Sequence, residues 1–419
     1  MAPAQDNSII AVMHPVCCGL DVHKEVIAAC LLYQDEAGEV TVEMREFDTF
    51  TADLMALRDW LMEHDCPIAA MESTGIYWQP VHNILEHHLQ VVLVNARHIK
   101  NLPGRKTDLA DSKWLAGLLR HGLLKGSFIP PAQVRQWRDL SRLRKRVQET
   151  LADYKRRAHK LLQSANIKLD TVASDLFGAT GQQLLRLLAT TDRPLTREDI
   201  DLCSRGQLRG RQEELYAAVQ GFFLDHHRFV LQSLLRIMDP LTREIAEINQ
   251  RLQEMQTSQQ ELIARLKKAP GISDLSAGMI LAELGDTLAD FPTSDALASW
   301  AGLCPGNHQS AGKRRSGRSP VRSHNLKTLM VQVAWAAVKK KGSYYKDKFH
   351  RLKARLDSKR AIVAIAHRLL RAVYHIIKEG VEFRDLGEQY LSQKNQAARL
   401  RYVKNQARLL GYDLAQLTA

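Results

Sequence analysis

The segment from Lys106 to Gly122, KTDLADSKWLAGLLRHG, has the pattern of a single helix. Its leucines recur at helical spacing, Thr107 or Asp108 can cap its start, and Gly122 can end it. Asp108 and Asp111 are three residues apart, so both carboxylates project from one face of the first turn. Two carboxylates held on a rigid helix can bind a divalent cation. The alternative is structural: Asp108 caps the helix and Asp111 complements its dipole.

The segments before this helix alternate between strand and helix patterns. Helices are predicted at 51–64, with Thr51 as the cap, and at 76–88. Apolar strands are predicted at 16–22, 26–33, 40–47, 67–71 and 91–94. This alternation predicts an α/β layer built on a mixed sheet.

Two further acids lie at the ends of predicted strands. Asp21 belongs to the first strand, and Glu72 comes directly after the fourth. An aspartate within an apolar strand is costly unless it is paired, hydrogen-bonded or bound to a ligand. Four converging carboxylates would repel one another, and a divalent metal would relieve that repulsion. Phosphodiester chemistry is a natural use of such a site.

The composition indicates a globular, reduced and strongly basic protein. Of 419 residues 45% are hydrophobic, and the formal net charge is +13. A charge of this size suggests a polyanionic partner, with nucleic acid before an anionic membrane. The six cysteines form no CxxC pair, which argues against a zinc site or a disulfide framework. No secretory signal and no apolar run near ~20 residues is present, so we expect a cytoplasmic protein without a membrane partner.

The middle of the chain is predicted to be helical. After Pro130-Pro131, the segment 135–160 carries ten Lys/Arg and three Asp/Glu among apolar residues at helical spacing. A second long helical pattern covers 212–268, with Pro240 as a possible kink. The two patterns can form an antiparallel hairpin or an oligomerising coiled coil, and the basic face can contact phosphate. The alternative is a solvated helix face with excess charge.

The C-terminal third combines a sharp turn with a focused positive charge. Residues 266–286 resemble a helix-hairpin-helix element turning at Pro270-Gly271, which can present a helix N-terminus to phosphate or form an ordinary corner. Residues 300–325 are predicted to be an exposed loop. Between Ser310 and Arg360 there are sixteen Lys/Arg and two Asp/Glu, which focuses the charge as nucleic-acid binding requires. Our candidate nucleic-acid contacts in that loop are Lys313, Arg314, Arg315, Arg318 and Arg322.

Taken together and in this order, the motifs resemble the DEDD transposases of bacterial insertion sequences. The resemblance spans about residues 17–125 and 262–340. Its motifs are GLDVHK around Asp21, MESTGIYW around Glu72, GRKTDLADSKWLAGLLRHG around Asp108 and Asp111, APGIS, FPTSDALASWAGLCPGNHQSAGK and the basic loop that follows.

The resemblance implies a RuvC-like, RNase H-type domain, a helical coiled-coil region and a mainly helical transposase domain. It implies Mg²⁺ held by Asp21, Glu72, Asp108 and Asp111, and a nucleophilic serine in an HxSxGK pattern. Here the pattern is His308-Gln-Ser310-Ala-Gly-Lys313, with alanine at 311 where the pattern has glycine, so Ser310 is the candidate. Ser316 and Ser319 lie close by as alternatives. The corresponding domains are 1–130, 131–265, 266–385 and a polar tail at 386–419.

The resemblance also implies partners that the residues alone do not identify. The family uses a structured non-coding (bridge) RNA that pairs with donor and target double-stranded DNA, so base pairing selects the sequence and protein contacts the backbone. A homo-oligomer, either a dimer or a tetramer, is expected. We therefore predict a recombinase in which Ser310 forms a covalent phosphoserine link to DNA beside the Mg²⁺ site. The rivals are a metal-dependent junction-resolving nuclease without a covalent link and a non-catalytic nucleic-acid-binding protein.

Overall fold

The structure is a computed structural model that forms two compact units, Met1–Ala132 and Gln133–Ala419. For residues 108–110, 308–310, 313–316 and 397 it describes the backbone alone. The residues it describes are 11–34, 39–73, 75–95, 108–305, 308–310, 313–316 and 325–409.

The first unit is built on a five-stranded mixed sheet with the order β3-β2-β1-β4-β5. The first three strands form an antiparallel meander, and β4 and β5 continue the sheet in parallel from β1. The strands are β1 (Cys17–Val22), β2 (Val26–Gln34), β3 (Val40–Asp48), β4 (Ile68–Glu72) and β5 (Gln90–Val94). This confirms the predicted α/β layer and each of its five strands within one or two residues.

Helices cover both faces of this sheet. On one face, α1 (Thr51–Glu63) and α2 (Trp78–Leu85) pack against side chains such as Leu20 and Met71. On the other face, α3 (Asp108–Arg120) packs against Cys17, Ile68 and Ala70. The predicted cap at Thr51 was wrong: the helix begins there, and Phe50 precedes it without a side-chain cap. The predicted end of α3 at Gly122 is confirmed, since this glycine has a φ of +66°.

Gly19 is the point at which α3 meets the sheet most closely. A β-carbon built on Gly19 would lie 2.1 Å from the carbonyl oxygen of Ser112 and 2.5 Å from the amide nitrogen of Ala116. Both atoms belong to the helix backbone, so a flexible side chain cannot move aside to make room. Glycine at 19 therefore allows the backbones of β1 and α3 to touch.

The second unit begins with two long antiparallel helices, α4 (Ala132–Ser164) and, later in the chain, α9 (Asp225–Met255). Trp137 near the start of α4 packs with Leu252 near the end of α9, whereas Leu162 near the end of α4 shares a core with Leu231. The antiparallel hairpin is thus the arrangement within one chain. Between the two lie α5 (Leu169–Val172), α6 (Ala179–Thr190), α7 (Arg197–Cys203) and α8 (Gln212–Ala218).

The single helical pattern predicted for 212–268 is divided into three helices. The break before α9 includes Gly221, where a β-carbon would lie 2.3 Å from the carbonyl oxygen of Ala165. The break after α9 includes the buried Gln256, whose amide donates to the carbonyl of Gly278 at 2.9 Å. Pro240 lies inside α9, which continues through it. Tertiary contacts at Gly221 and Gln256 therefore interrupt a pattern that is continuous in the sequence.

The rest of the second unit is also mostly helical. Its helices are α10 (Gln260–Lys267), α11 (Asp274–Leu284), α12 (Ser294–Trp300), α13 (Asn325–Ala337), α14 (Tyr344–Lys353), α15 (Ser358–Glu379) and α16 (Tyr390–Leu409). The segment predicted to be a loop contains a two-stranded ribbon, β6 (His308–Ser310) and β7 (Lys313–Ser316). Polar strands this short lack the apolar alternation that identifies a strand in a sequence. Across the described part of the chain, no helix combines the length and apolar character needed to cross a membrane.

The turn between α10 and α11 is used for helix packing. Gly271 has a φ of +83°, and a β-carbon there would lie 2.3 Å from the carbonyl oxygen of Val333 and 2.7 Å from the amide nitrogen of Ala337. Ser273 caps α11 by accepting from the backbone N–H of Ser276. The glycine thus serves the contact with α13, which favours the ordinary corner over a phosphate-presenting turn.

A buried ion cluster joins α4 to α11. The carboxylate of Glu283, which is only 2% exposed, accepts from both Nε and Nη2 of Arg142 at 3.0 Å. Arg138 Nη2 donates to the Glu283 carbonyl oxygen at 2.5 Å, and its Nε lies 3.5 Å from the carboxylate. Burial lowers the pKa of the Arg138 guanidinium to about 10, although the charge of Glu283 opposes this. One carboxylate, that of Glu283, therefore balances the positive charges of two arginines.

We predict that Gly19→Ala destabilises the first unit by about 1–3 kcal/mol, because the new methyl group overlaps the α3 backbone. Gly117→Ala is the matched control on α3, where nothing lies within 4 Å of the added carbon. The control should gain about 1 kcal/mol from the better helix propensity of alanine. Urea unfolding of the full chain, followed by circular dichroism, measures both. A Gly19→Ala protein as stable as the parent would contradict the packing described.

We also predict that Glu283→Ala destabilises the second unit by about 3–5 kcal/mol, because it leaves buried guanidinium groups without their carboxylate. The control is Glu261→Ala, whose exposed carboxylate lies 3.7 Å from Arg265 and should change stability by at most about 1 kcal/mol. Thermal and urea unfolding give the comparison. Equal effects of the two substitutions would show that the cluster is not a buried ion pair in solution.

Candidate active site

Asp21 lies near the carboxyl end of β1, on the face of the sheet that α3 covers. Side chains alternate along a strand, so Asp21 points to the same side as Cys17 and Gly19, and Cys17 packs against α3. The Asp21 side chain is 19% exposed, and its Oδ2 lies 3.1 Å from Nε2 of His23. A carboxylate is therefore held at the end of an otherwise buried strand.

Glu72 lies beside Asp21 on the neighbouring strand. The parallel register places Leu20 opposite Met71, so the next pair of positions is Asp21 and Glu72. Adjacent strands are about 4.8 Å apart, and paired positions project to the same face. Ile68 and Ala70, which alternate with Glu72 along β4, pack on the α3 side. The strand register thus places the two acids on one face.

Asp111 reaches this face from α3. The next residue, Ser112, is fully buried and contributes the carbonyl oxygen that touches Gly19. Gly19 is two positions before Asp21 on β1, and Asp111 is one position before Ser112 on α3. The close contact at Gly19 therefore anchors the first turns of α3 near the strand end that carries Asp21.

The charges of Asp111 and Glu72 both act on the carboxyl of Asp21. Burial raises the pKa of the Asp21 carboxyl, and the charges of Asp111 and Glu72 raise it further. His23 opposes this through its charge and its hydrogen bond. Sequence reasoning assigned His23 no role, although it stands two residues after Asp21 in the quoted GLDVHK motif. Its effect depends on the turn after β1, where the His23 amide donates to the carbonyl of Val26 at 3.0 Å.

The donor chemistry of these side chains suits a hard divalent cation, because such ions prefer carboxylate oxygens. Among side chains that the structure describes, no three His, Cys, Asp or Glu are close enough together to hold a metal ion. The side chain of Asp108, the fourth predicted ligand, lies outside the described residues. The structure places Asp21, Glu72 and Asp111 in one region, although not close enough together to form a metal site by themselves, and Asp108 stays a prediction.

Ser310 ends β6 at the closed end of the β6–β7 ribbon. Its backbone partner is Lys313, the first residue of β7, whereas Ser316 pairs with His308 at the other end. A cationic residue therefore occupies the position directly across from the candidate nucleophile. Arg314 and Arg315 also lie on β7, with only their backbone described. Arg318, Ser319 and Arg322 lie outside the described residues.

Comparisons with known proteins identify related chains. A DEDD transposase model of the IS110 type, described as "Transposase", matches residues 18–167. A second model, "Transposase IS116/IS110/IS902 family", matches residues 263–350. The pilin gene-inverting protein of Moraxella bovis is 25% identical over 383 residues, which cover 87% of this chain and 96% of that protein.

Two solved structures resemble part of this chain. Thermus thermophilus RuvC is 13% identical, and the match covers 27% of this chain and 99% of that chain with a TM-score of 0.21. A Fowlpox virus resolvase, solved with Holliday junction DNA, is 12% identical over 26% of this chain and 99% of that chain, also with a TM-score of 0.21. These scores are too low to support an argument, so our description of the fold rests on its strand order and packing.

The two family models together match more than half of the chain, and both describe transposases. DEDD transposases typically depend on divalent metal ions. The first match contains Asp21, Glu72, Asp108 and Asp111, and the second contains Ser310. The chain belongs to the IS110 family of transposases and is a DNA transposase or recombinase.

Proposed function

We propose that this transposase cuts and rejoins DNA through a covalent phosphoserine intermediate, with Asp21, Glu72, Asp108 and Asp111 holding Mg²⁺. The observation that carries the proposal is the common location of Asp21, Glu72 and Asp111, reached from two adjacent strand ends and one helix. Burial and the charges of Asp111 and Glu72 raise the pKa of the half-buried Asp21 carboxyl, and His23 opposes this only in part, so the compensation of its charge is incomplete. A bound divalent cation would supply that compensation.

Each acid has a distinct structural role in this proposal. Asp21 and Glu72 are held by paired strands and define one side of the site, while Asp111 and Asp108 belong to the first turns of α3. When bound, Mg²⁺ would stabilise the attacking and leaving oxygens of a phosphodiester. His23 hydrogen-bonds Asp21 and so orients that carboxylate. The sheet and helix together fix the carboxylates in place before DNA binds.

Ser310 is the proposed nucleophile. Its hydroxyl attacks the DNA phosphorus, so a P–Oγ bond forms while one P–O bond to deoxyribose breaks. The serine proton is lost, and the leaving deoxyribose oxygen gains one. Attack by a deoxyribose hydroxyl on the phosphoserine reverses these bond changes, so rejoining requires no external energy. Cationic residues such as Lys313, at the position paired with Ser310, would stabilise charge on the phosphate.

Partners follow from the family and from the charge. We propose that a structured guide RNA selects donor and target DNA by base pairing, and that Lys313, Arg314, Arg315, Arg318 and Arg322 contact nucleic acid. The acids and Ser310 belong to different compact units. We propose a homo-oligomer, either a dimer or a tetramer, as the family resemblance implies. The alternative is a RuvC-like nuclease that hydrolyses DNA with a water nucleophile and forms no covalent link.

The phosphoserine step is tested by protein–DNA adducts on denaturing gels, with purified protein, DNA, guide RNA and Mg²⁺. Ser310→Ala should reduce adducts to background because it removes the attacking oxygen. Ser316→Ala, on the other strand of the ribbon, is the control and should retain them. Asp108→Asn should impair cleavage while leaving DNA binding within about twofold, since metal ligands act mainly on the chemical step. Adducts that persist in Ser310→Ala refute the assignment, and free ends without adducts favour the nuclease.

The metal site is tested by thermal unfolding with and without Mg²⁺. A carboxyl whose folded pKa is raised costs stability once pH rises above its unfolded value, so Asp21→Asn should be at least as stable as the parent at pH 7 without metal. Mg²⁺ should raise the parent's unfolding temperature but not that of Asp21→Asn.

The control for this experiment is Asp48→Asn, which changes an exposed aspartate at the end of β3 in the same sheet. It should keep the full response to Mg²⁺. A response of the same size in Asp21→Asn would remove Asp21 from the proposed metal ligands.

A further inference from the structure

The last described helix, α16, buries few of its side chains against the rest of the protein. Among its described side chains only Leu391 and Ala407 are buried, while Leu400, Tyr402 and Val403 are more than half exposed. A helix of 20 residues gains most of its stability in proteins from packing an apolar face. Burial therefore explains little of why this segment is helical.

The charge of α16 has one sign. The helix contains five Lys/Arg and no Asp/Glu: Lys394, Arg399, Arg401, Lys404 and Arg408. Lys404 is three residues after Arg401 and four before Arg408, and like charges at these spacings repel each other. An exposed helix with these repulsions is stabilised by a partner that carries negative charge.

The start of α16 is anchored beside further cations on α14 and α15. Arg351 Nη2 donates to Ser392 Oγ at 2.7 Å, and the rings of Tyr344 and Tyr390 meet edge to face with centroids 5.9 Å apart. These contacts join α14 to the first turn of α16. The charge of Lys394 acts on Lys348 of α14, and Lys394 shares one face of α16 with Arg401, Lys404 and Arg408, which follow it at helical spacing. Arg399, two positions before Arg401, lies on the opposite face of α16.

Lys348 shows how crowded this surface is. Burial lowers the pKa of its ammonium group, and the charges of Arg368, Arg355, Arg351 and Lys394 lower it further. Asp347 accepts from Nε of Arg351 at 2.9 Å and balances one of these charges. All the charged groups given above as lowering the pKa of Lys348 are positive. We call Lys348, Arg355, Lys394, Arg401, Lys404 and Arg408 the C-terminal basic surface.

We propose that the C-terminal basic surface binds the phosphodiester backbone of duplex DNA without reading its sequence. Charge complementarity supports this occupant, because a row of cations on an exposed helix matches the regular spacing of phosphates. The surface lies beyond the family match that ends at residue 350, apart from Lys348, and beyond the basic residues predicted at 313–322. The inference extends the proposed function and requires neither the metal site nor Ser310.

The test is the salt dependence of binding by the full-length protein in EDTA. The probes are a duplex DNA and a duplex RNA of the same mixed sequence. The triple variant Arg401→Gln, Lys404→Gln and Arg408→Gln removes three phosphate contacts from one face of α16. The slope of log K against log salt should fall by about three, and affinity at about 0.1 M salt should fall roughly tenfold or more.

Two further variants separate the surface from charge in general. Arg236→Gln, Arg243→Gln and Arg251→Gln remove the same charge from α9, where four arginines stand among five acids. This control should change the slope by less than about one. The charge-preserving variant Arg401→Lys, Lys404→Arg and Arg408→Lys should bind like the parent. Circular dichroism establishes that all three variants retain the parental helix content.

Each outcome decides the question. A fall in the slope with DNA, with or without a fall with RNA, supports the inference, whereas a fall with RNA alone overturns it. An unchanged slope with both probes, or a loss no greater than that of the α9 control, overturns the inference. Because EDTA prevents metal-dependent cleavage, the adduct assay and this binding assay can fail independently.

Discussion

The contact between the backbones of β1 and α3 at Gly19 is the constraint on which the first unit depends. A helix can approach a strand this closely only where the side chain is absent, and the Ser112 carbonyl occupies the space that a β-carbon would take. The same contact sets the position of Asp111 relative to Asp21. The strand register then adds Glu72. One packing interaction between neutral backbone atoms thus brings acids close together, although their negative charges repel one another.

The two units differ in how their buried charged side chains are compensated. In the first unit, burial raises the pKa of Asp21, and the charges of Asp111 and Glu72 raise it further. His23 is the basic side chain that opposes this shift. In the second, Arg138 and Arg142 converge on the buried carboxylate of Glu283, which compensates them within the protein. The compensated cluster contributes to the fold. The acids around Asp21 have the character of a binding site, because a bound cation can relieve their mutual repulsion.

The basic charge of the chain is not confined to the segment that the family motifs identify. The ribbon carries Lys313 opposite Ser310, while α16 carries five cations on a helix with little buried surface. Apolar packing explains the long hairpin of α4 and α9, whose cores run along their whole length. It does not explain α16, where electrostatic attraction to a polyanion is the physical reason for an exposed helix of one charge.

The sequence by itself determined the strand and helix order of the first unit and the family, and it singled out Asp21, Glu72 and Asp111 as candidates, because apolar periodicity and local motifs carry this information. It did not determine the division of 212–268 into three helices or the pairing of β6 with β7, because these depend on contacts between distant residues. Likewise, the roles of Gly19 and Gly271 follow from helix backbones more than sixty residues away. Only the tertiary structure decides which backbone atoms approach a glycine, and hence which side chains meet.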